Sequence, residues 1–302
     1  MENYLIAIVL VNYNSVDDTV ACLKSIQQGN GDLPFVIVIE NNSGDKDVIM
    51  EKVGFYPALK VIISNENVGF GRANNLGISW LKVNVQCKYI FLLNNDTVIE
   101  ENTLNQLVSA FDKSEKDTGM VAPRIMVYDK PDEIWYEGGT INYEKMTPDI
   151  RMSDSLYTEF ASGCAMFFEA ETLYSLNGFD PYFFMYDEDV ELSMRLTRSG
   201  KKIRYEKDAV IYHKCQGSQT KKKDIPSNQL HPNHPGLLFY LRNTIPNRRY
   251  IIEKHLKDKE QQNAEKAQKK YWFMKSIQFL LYGKLSAFYN VWKYLFTDIA
   301  KS

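Results

Sequence analysis

Short apolar runs alternate with amphipathic stretches over the first hundred residues of the chain. Four runs rich in β-branched and aromatic residues predict buried strands, at Leu5–Val11, Val36–Ile39, Leu59–Ile63 and Tyr89–Leu93. Three segments with helical patterning lie between them, at Asp17–Gln27, Asp45–Val53 and Arg72–Leu81. Because strands that alternate with helices form βαβ units, the pattern predicts an α/β domain built on a parallel sheet.

Each of the four predicted strands is followed by a cluster of polar residues. The clusters are Asn12-Tyr13-Asn14, Glu40-Asn41-Asn42-Ser43, Asn65-Glu66-Asn67 and Asn94-Asn95-Asp96. In an open α/β sheet, the loops at the carboxyl ends of the strands open onto one crevice, where ligands bind. The sequence therefore predicts a ligand site at this edge of the sheet.

The pattern changes after about Met120. Residues Ile134–Tyr143 contain Trp135 and the pair Gly138-Gly139, which predicts a β-hairpin. Further predicted elements are a strand at Ala165–Phe168, helices at Ala170–Leu176 and Glu188–Ser199, and short strands at Lys202–Tyr205 and Ala209–Tyr212. The polar stretch from Lys214 to Gly236 has little periodicity and is predicted to be a mobile loop.

The last fifty residues differ from the rest. Residues Glu253–Lys270 are nearly all polar and predict a solvated helix. Apolar residues then recur at spacings of three and four, which marks one helix face; they are Met274, Ile277, Leu281, Leu285, Phe288, Trp292, Leu295 and Ile299. This face could pack on the main domain, lie on a membrane surface or mediate self-association. We expect a domain at 1–250 and a C-terminal helical extension at 251–302.

Composition excludes several classes of protein. The chain of 302 residues is 44% hydrophobic and 25% charged, which is typical of a soluble globular protein. A net charge of −2 argues against a nucleic-acid binder. The four cysteines are far apart and form no CxxC pair, which favours a reducing cytoplasm over a disulfide framework or a zinc site. With neither a signal-peptide pattern nor a run long enough to span a bilayer, we expect a cytoplasmic protein.

Four carboxylates directly follow the apolar run Phe183-Phe184-Met185-Tyr186; they are Asp187, Glu188, Asp189 and Glu191. Acids suit the start of a helix, and Asp187 is expected to cap it. Glu191 is expected to pair with Arg195, four residues later, on the helix surface. Glu188 and Asp189 remain as candidates for chemistry, because burial raises the pKa of a carboxyl group toward that of a useful general base.

Two further residues are candidates for metal binding. Asp96 follows the most apolar strand and could hold Mg²⁺ or Mn²⁺, or it could cap a helix after Thr97. His213 follows another predicted strand, and an imidazole is a better ligand for Mn²⁺ than for Mg²⁺. The segment Gly69–Asn74 resembles a dinucleotide fingerprint but lacks its third glycine, which argues against hydride transfer. Its glycines still allow close approach of a ligand.

Taken together, these stretches resemble the family 2 glycosyltransferases of the GT-A fold, close to the bacterial rhamnosyltransferase-like branch. The resemblance covers about Leu5 to Asn247. The matching stretches are Ile8–Asn14, Glu40–Ser43, Asn67–Gly71, Leu92–Thr97, Ser162–Met166, Gly178–Asp180, Tyr186–Arg195 and Tyr240–Asn243. The resemblance implies a Rossmann-like mixed sheet flanked by helices, and inverting transfer of a sugar from a nucleotide diphosphate donor.

The resemblance also implies roles for individual residues. Asn94-Asn95-Asp96 occupies the position of the family's DxD motif, so Asp96 is expected to hold Mn²⁺ or Mg²⁺. His213 and Asn94 are the other expected ligands, although the amide of Asn94 replaces an acid and binds a cation less strongly. Asp189 is expected to be the catalytic base.

The remaining expected contacts belong to the two substrates. The donor side is predicted to comprise Asn12, Tyr13, Asn14, Glu40, Asn42, Asn67, Gly69, Asn74, Asn95 and Asp96. The acceptor side is predicted to comprise Gly163, Glu188 and Trp135. The branch suggests dTDP-rhamnose or a UDP-hexose as donor, and a lipid-linked or surface-polysaccharide precursor as acceptor. The basic loop near Lys221 and the aromatic tail would suit an acceptor at the inner membrane face.

Two alternatives to a transferase arise from the residues. Asn94 in place of an acid would suit a sugar- or nucleotide-binding protein that has lost catalysis. A sugar nucleotidyltransferase would require a glycine-rich stretch followed by arginine and lysine near the amino end, and residues 5–30 contain none.

Overall fold

A computed structural model describes residues 2–29, 31–40, 44, 46–150, 155–214 and 228–296, except for the side chain of Glu40. In chain order the strands are β1 (Glu2–Asn12), β2 (Phe35–Glu40), β3 (Leu59–Ile63), β4 (Val85–Asn94), β5 (Thr97–Ile99), β6 (Thr118–Val127), β7 (Lys130–Tyr136), β8 (Thr140–Asn142), β9 (Thr147–Asp149), β10 (Tyr157–Thr158), β11 (Ala165–Glu169) and β12 (Lys202–His213). The helices are α1 (Val16–Gln28), α2 (Lys46–Val53), α3 (Phe70–Asn84), α4 (Thr103–Asp112), α5 (Ala170–Ser175), α6 (Glu188–Arg198), α7 (Leu237–His255), α8 (Asp258–Leu281) and α9 (Leu285–Phe296).

The amino-terminal half is the predicted βαβ array. Strand β1 lies between β2 and β4, parallel to both, and β2 pairs with β3, also parallel. The seven elements predicted in this half are confirmed. Their apolar runs are continuous because helices cover the sheet: a Cβ atom on Gly77 of α3 would lie 2.7 Å from Val9 Cγ1 of β1, so this glycine allows the helix to pack closely on the sheet.

The second half extends the same sheet and makes it mixed. Strand β11 lies antiparallel between β4 and β6, and β12 runs parallel to β6. The order across the main path of the sheet is β10-β12-β6-β11-β4-β1-β2-β3. The expected architecture, a mixed sheet flanked by helices with further helices at the C-terminus, is confirmed.

The predicted hairpin at Ile134–Tyr143 is wrong. Its first part belongs to β7, which pairs antiparallel with β6, while Thr140–Asn142 pairs with Thr147–Asp149 in a separate two-stranded sheet. Gly138, at φ +92°, lies between the two sheets and turns the chain from one to the other. The Gly138-Gly139 pair therefore connects two sheets and does not form the turn of a hairpin.

Two other predictions for this half concern β12 and the segment that follows it. The short strands Lys202–Tyr205 and Ala209–Tyr212 are one strand, β12, with a register irregularity between Glu206 and Val210. A bulge interrupts the alternation of side chains along a strand, so the sequence pattern shows one bulged strand as two short ones. Most of the polar stretch from Lys214 to Gly236 lies outside the described residues.

The C-terminal extension contains two helices after α7, and the single helix face expected there is wrong. Helix α8 ends at Leu281, the chain turns at Gly283 (φ +69°), and α9 begins at Leu285. Most of the expected face that is described, including Leu281 and Leu285, is exposed. Of the described residues of the expected face, only Leu295 belongs to the buried cluster formed with α7. The other members of that cluster are Leu237, Leu241, Ile245, Trp272, Phe279, Ala287 and Val291. Apolar residues cover more than one side of these helices, so spacing could not show which side packs.

The polar start of the extension is only partly solvated. Gln268 of α8 is buried, and its amide donates to the backbone carbonyls of Glu144 and Lys145. Residue 250, the expected end of the main domain, falls inside α7, so the division at that residue remains a prediction. None of the helices described by the structure is long and apolar enough to cross a bilayer.

Candidate active site

The Asp96 carboxylate and the His213 imidazole lie together at one edge of the sheet. Strand β5 pairs antiparallel with β12, with Thr97 opposite His213, so the preceding residue comes next to the histidine. His213 Nε2 lies 3.2 Å from Asp96 Oδ1, and both residues are buried. The alternative in which Asp96 caps a helix after Thr97 is wrong, because a strand follows and α4 begins only at Thr103.

Asn94, the last residue of β4, supplies a further oxygen at the same strand end. Its Oδ1 atom is buried without a hydrogen-bond partner, and an unsatisfied buried polar atom costs about 1–3 kcal/mol. Within the described residues, no group of three or more His, Cys, Asp or Glu side chains could hold a metal ion. Amide, carboxylate and imidazole ligands nevertheless suit Mn²⁺. Asn94, Asp96 and His213 therefore remain the predicted ligands of a cation.

The second acidic group lies at the start of α6, where the backbone is unusual. Tyr186 and Asp187 both have left-handed backbone angles, with φ +69° and +60°. Such conformations cost about 1–3 kcal/mol each for non-glycine residues and persist where surrounding contacts hold them. The turn directs the Asp189 carboxylate toward the loop before β11, where Oδ2 accepts the Gly163 backbone N–H at 3.0 Å. Oδ1 accepts the Val190 N–H at 2.8 Å.

The environment of α6 keeps its first carboxyl groups easier to protonate than usual. Burial raises the pKa of Asp189, and the N–H groups of Gly163 and Val190 only partly oppose this. Burial also raises the pKa of Glu188 well above its ordinary value, and the charge of Asp189 adds to the rise. Glu188 Oε2 is buried without a hydrogen-bond partner. The pair Glu188 and Asp189 can therefore take up a proton more readily than an exposed carboxylate.

The two acidic groups are connected through one short loop. The Asn94 backbone N–H donates to the Cys164 carbonyl at 2.8 Å, one residue from the Gly163 N–H that binds Asp189. The Trp135 and His213 rings meet edge to face, with centroids 5.0 Å apart. The predicted metal-binding and acceptor-side residues thus lie along one edge of the sheet.

The glycine-rich turn before α3 completes this edge. The Phe70 N–H donates to the Phe184 carbonyl at 2.9 Å. Gly69 has φ +84°, and a Cβ atom there would overlap the Phe184 carbonyl. Glycine is therefore required at this position by both conformation and space. The turn packs against the segment that leads into α6.

The predicted donor-side residues fall into three groups. Several already use their amide groups within the protein: Asn95 Nδ2 donates to Thr19 Oγ1 at 2.8 Å, and that hydroxyl donates to Asn12 Oδ1 at 2.9 Å. Asn67 accepts the Gly69 N–H, and Asn74 donates to the Phe70 carbonyl. Tyr13 and Asn14, which follow Asn12 in the sequence, are exposed. The Glu40 side chain and Asn42 lie outside the described residues. The donor roles remain predictions.

Helix α7 contributes two site-supporting residues that the sequence analysis missed. Asn247 Nδ2 donates to the carbonyls of Met185 and Tyr186, at 3.0 and 2.7 Å. Arg248 Nε lies 3.4 Å from Asp187 Oδ1, and both side chains are almost fully buried. Asp187 occupies the N-cap position of α6, as predicted, but its side chain makes no capping bond. Burial raises the pKa of Asp187 to about 6, although the charge of Arg248 opposes the rise.

Glu191 also contacts α7. It pairs with Arg195 through two bonds of 2.8 Å, as predicted. The expectation that this pair lies on the surface is wrong, because Glu191 is fully buried and also binds His255 Nε2 at 2.9 Å. A buried carboxylate requires such partners. The bond to His255 connects α6 to α7.

Comparison with known proteins identifies relatives of this arrangement. The chain is 23% identical over 216 residues to rhamnosyltransferase WbbL of Escherichia coli (strain K12), which covers 67% of this chain and 80% of that protein. The fold of the present chain is similar to that of GalNAc-T7 solved with UDP, GalNAc and Mn²⁺, with a TM-score of 0.60 and 15% identity. This match covers 91% of the present chain and 57% of GalNAc-T7.

Two further solved structures share the fold. One is the mannosyltransferase PcManGT from Pyrobaculum calidifontis, in complex with GDP-Man and Mn²⁺, with a TM-score of 0.57 and 13% identity. The match covers 96% of the present chain and 73% of the PcManGT chain. S. aureus TarS 1-349 matches with a TM-score of 0.56 and 13% identity over 89% and 69%. Residues 7–174 match the family model described as Glycosyl transferase family 2. Because this match spans more than half of the sequence, the chain belongs to glycosyl transferase family 2 and is a glycosyltransferase of the GT-A fold.

Proposed function

We propose that this protein transfers a sugar from a nucleoside diphosphate sugar to an acceptor hydroxyl, with inversion at the anomeric carbon. The observation that carries the proposal is the connection of Asp189 to Gly163, next to the Cys164 carbonyl that binds the Asn94 backbone. This connection links a carboxylate with a raised pKa, Asp189, to the strand end that carries the proposed cation site. The nucleotide ligands of GalNAc-T7 and PcManGT support a nucleotide-sugar donor.

The proposed chemical step is a direct displacement. The acceptor oxygen attacks the anomeric carbon of the donor and forms the new glycosidic bond, while the bond from that carbon to the diphosphate oxygen breaks. The electron pair of the broken bond leaves with the diphosphate, and the acceptor proton passes to Asp189. General-base catalysis of this kind contributes typically 10²- to 10⁴-fold to a rate. Glu188 lies next to the base and is proposed to position the acceptor.

Asn94, Asp96 and His213 are the residues that would hold a divalent cation. When bound, Mn²⁺ or Mg²⁺ supplies positive charge that stabilises the leaving diphosphate. The unsatisfied oxygen of Asn94 and the proximity of Asp96 to His213 support this assignment. Because an amide replaces an acid at residue 94, we expect weak binding of the free ion and tighter binding with the donor present.

The donor and acceptor classes follow from the resemblance and the relatives. We propose dTDP-rhamnose or a UDP-hexose as donor, and similarity to a rhamnosyltransferase supports testing the first of these. The proposed acceptor is a glycan or a lipid-linked precursor in cell-surface polysaccharide synthesis. The proposed location is the cytoplasm, on the inner face of the cell membrane.

The test is release of nucleoside diphosphate from a panel of nucleotide sugars, with Mn²⁺, with Mg²⁺ and with a chelator. We expect one donor to be turned over in a metal-dependent manner. Asp189→Asn should lower turnover by at least a hundredfold while retaining the thermal shift produced by donor binding. Glu171→Gln is a matched control, because Glu171 also lies in the first turn of a helix but is exposed. The anomeric configuration of the product, read by NMR, tests inversion.

Other results would contradict the proposal in distinct ways. Full turnover by Asp189→Asn would remove the assigned base. Undiminished turnover by His213→Ala in the presence of limiting Mn²⁺ would remove the assigned cation site. Donor binding without turnover of any donor–acceptor pair would favour a nucleotide-sugar-binding protein, the alternative that Asn94 suggests.

A further inference from the structure

Helices α8 and α9 carry a large group of exposed apolar side chains. The most exposed are Phe273, Met274, Leu280, Leu281, Tyr282, Leu285, Tyr289 and Phe296. On each helix these residues recur at spacings of three, four or seven, so they form one stripe along α8 and another along α9. Monomeric soluble proteins rarely expose such contiguous patches unless the patch has a binding role.

The two stripes form one continuous surface. The Trp292 ring of α9 meets Phe273 of α8 edge to face, with centroids 6.0 Å apart. It also stacks on Phe296, with centroids 5.6 Å apart. We call this combined surface of α8 and α9, from Phe273 to Phe296, the α8–α9 face. The opposite sides of both helices are buried against α7, through residues that include Trp272 and Val291.

The charge of this region has a single sign. Residues 266–296 contain six lysines and no aspartate or glutamate; the lysines are Lys266, Lys269, Lys270, Lys275, Lys284 and Lys293. Lys266, Lys269 and Lys270 are exposed and precede Phe273 and Ile277 at helical spacings of three, four and seven. They therefore continue the apolar stripe of α8 toward its amino end. The whole chain has a net charge of −2, so this positive region is local.

We propose that the α8–α9 face docks on an anionic lipid surface. Helices that lie in a membrane interface combine exposed aromatic and leucine side chains with lysines, as these helices do. Lysines near such a surface each contribute about 1 kcal/mol of attraction to anionic lipids. The same charge disfavours a second copy as the occupant, because a symmetric dimer would bring two sets of six lysines together. The proposal does not depend on the proposed transfer reaction.

The test is cosedimentation of the full chain with vesicles of phosphatidylcholine alone and with 30% phosphatidylglycerol. We expect binding to the anionic vesicles that weakens at high salt, and at least tenfold less binding to the neutral ones. The double variant Leu281→Ser with Leu285→Ser removes apolar side chains that are 82% and 67% exposed, so the fold should be retained. It should lower the ratio of bound to free protein at least tenfold.

A charge variant tests the electrostatic part separately. Changing Lys266, Lys269 and Lys270 to Gln should lower binding to anionic vesicles at least tenfold. Matched controls are Val83→Ser on α3, where the side chain is 70% exposed, and Lys24, Lys113 and Lys116 changed to Gln, which lie outside the face. The control variants should bind as the unchanged protein does, and circular dichroism should show that every variant is folded.

Three results would overturn the proposal. The first is absence of binding to anionic vesicles, and the second is equal loss of binding in the face and control variants. The third is a concentration-dependent dimer in sedimentation velocity that the leucine variant abolishes, which would make a second copy the occupant. Retained vesicle binding in a protein without transferase activity would leave this proposal intact and contradict only the proposed function.

Discussion

Replacing Arg248 by Met is expected to destabilise the protein in a way that depends on pH. The guanidinium lies 3.4 Å from the buried Asp187 carboxylate, and its Nη2 donates to the Tyr240 hydroxyl at 3.1 Å. Methionine keeps much of the apolar volume of the stem but removes the charge and this bond. The remaining carboxylate is then buried without its cation, and such uncompensated charges are costly.

The pKa of Asp187 sets the size of the effect. Burial raises this pKa to about 6 from an ordinary value of 3.8. A carboxyl group with a raised folded-state pKa favours folding most below its unfolded pKa, and this contribution is lost as pH rises to the folded pKa. In the unchanged protein the loss ends near pH 6. Without Arg248 the pKa of Asp187 rises further, so the loss of stability continues above pH 6.

The electrostatic difference between the two proteins therefore grows with pH. Each pKa unit corresponds to about 1.4 kcal/mol, so the difference is near zero at pH 5 and is at most about 3 kcal/mol at pH 8. The lost bond to Tyr240 adds about 1 kcal/mol at both pH values. We expect Arg248→Met to lower the free energy of unfolding by about 1 kcal/mol at pH 5 and by up to about 4 kcal/mol at pH 8.

Urea denaturation at pH 5 and pH 8 measures this difference directly. Arg242→Met is a matched control, because Arg242 is exposed on the same helix. Adding Asp187→Asn to Arg248→Met should abolish the pH-dependent part, since the titrating group is gone. The reasoning is refuted if Arg248→Met destabilises the protein equally at both pH values, or if the added Asn leaves the pH dependence in place.

Three further predictions concern the site. Asn247→Ala should lower kcat about tenfold with little change in donor KM, because the substitution removes the bonds that hold the left-handed turn before α6. Asn243→Ala on the same helix should leave kcat unchanged, because the Asn243 amide bonds only within the helix. Gly69→Ala should lower Tm and donor binding, because the added methyl group would overlap the chain before α6. Gly283 also has a positive φ but has no neighbour within 4 Å of an added Cβ atom, so Gly283→Ala should lower the free energy of unfolding by only about 1 kcal/mol. Turnover should rise with pH through an apparent pKa above 3.8, because Asp189 must be ionised to act as base and burial raises its pKa; a profile already flat at pH 4 would contradict this.

The predictable part of the fold is the part where local pattern and tertiary packing agree. Strands β1 to β4 are apolar runs of strand length, and each helix between them has one apolar side, so the order of elements follows from the sequence. The meeting of Asp96 with His213 was also accessible, because both residues follow apolar strands and strand ends share an edge. The roles of these residues in binding and catalysis remain predictions.

Contacts between distant polar residues were not accessible in this way. Arg248 and Asp187 are 61 residues apart, and nothing in the local pattern of either indicates that its charge is buried. The Gly138-Gly139 pair misled for a related reason, because glycine marks a change of chain direction but does not show which strands pair. On α8 and α9 the apolar residues cover more than one side, so periodicity could not distinguish a packed side from an open one.

The position of α7 has a consequence for protein engineering. Its apolar residues Leu237 and Leu241 lie in the cluster shared with α8 and α9, while Ile251 and Ile252 lie in the main hydrophobic core. Arg248, between them, lies 5.8 Å from the centre of the Trp272 ring. A chain cut after Lys270 would therefore remove Trp272, which covers the arginine that pairs with Asp187 in the turn before α6. Exchange of the tail between relatives would also alter the surroundings of this turn, so such chimeras are informative only when α7 is exchanged together with the tail.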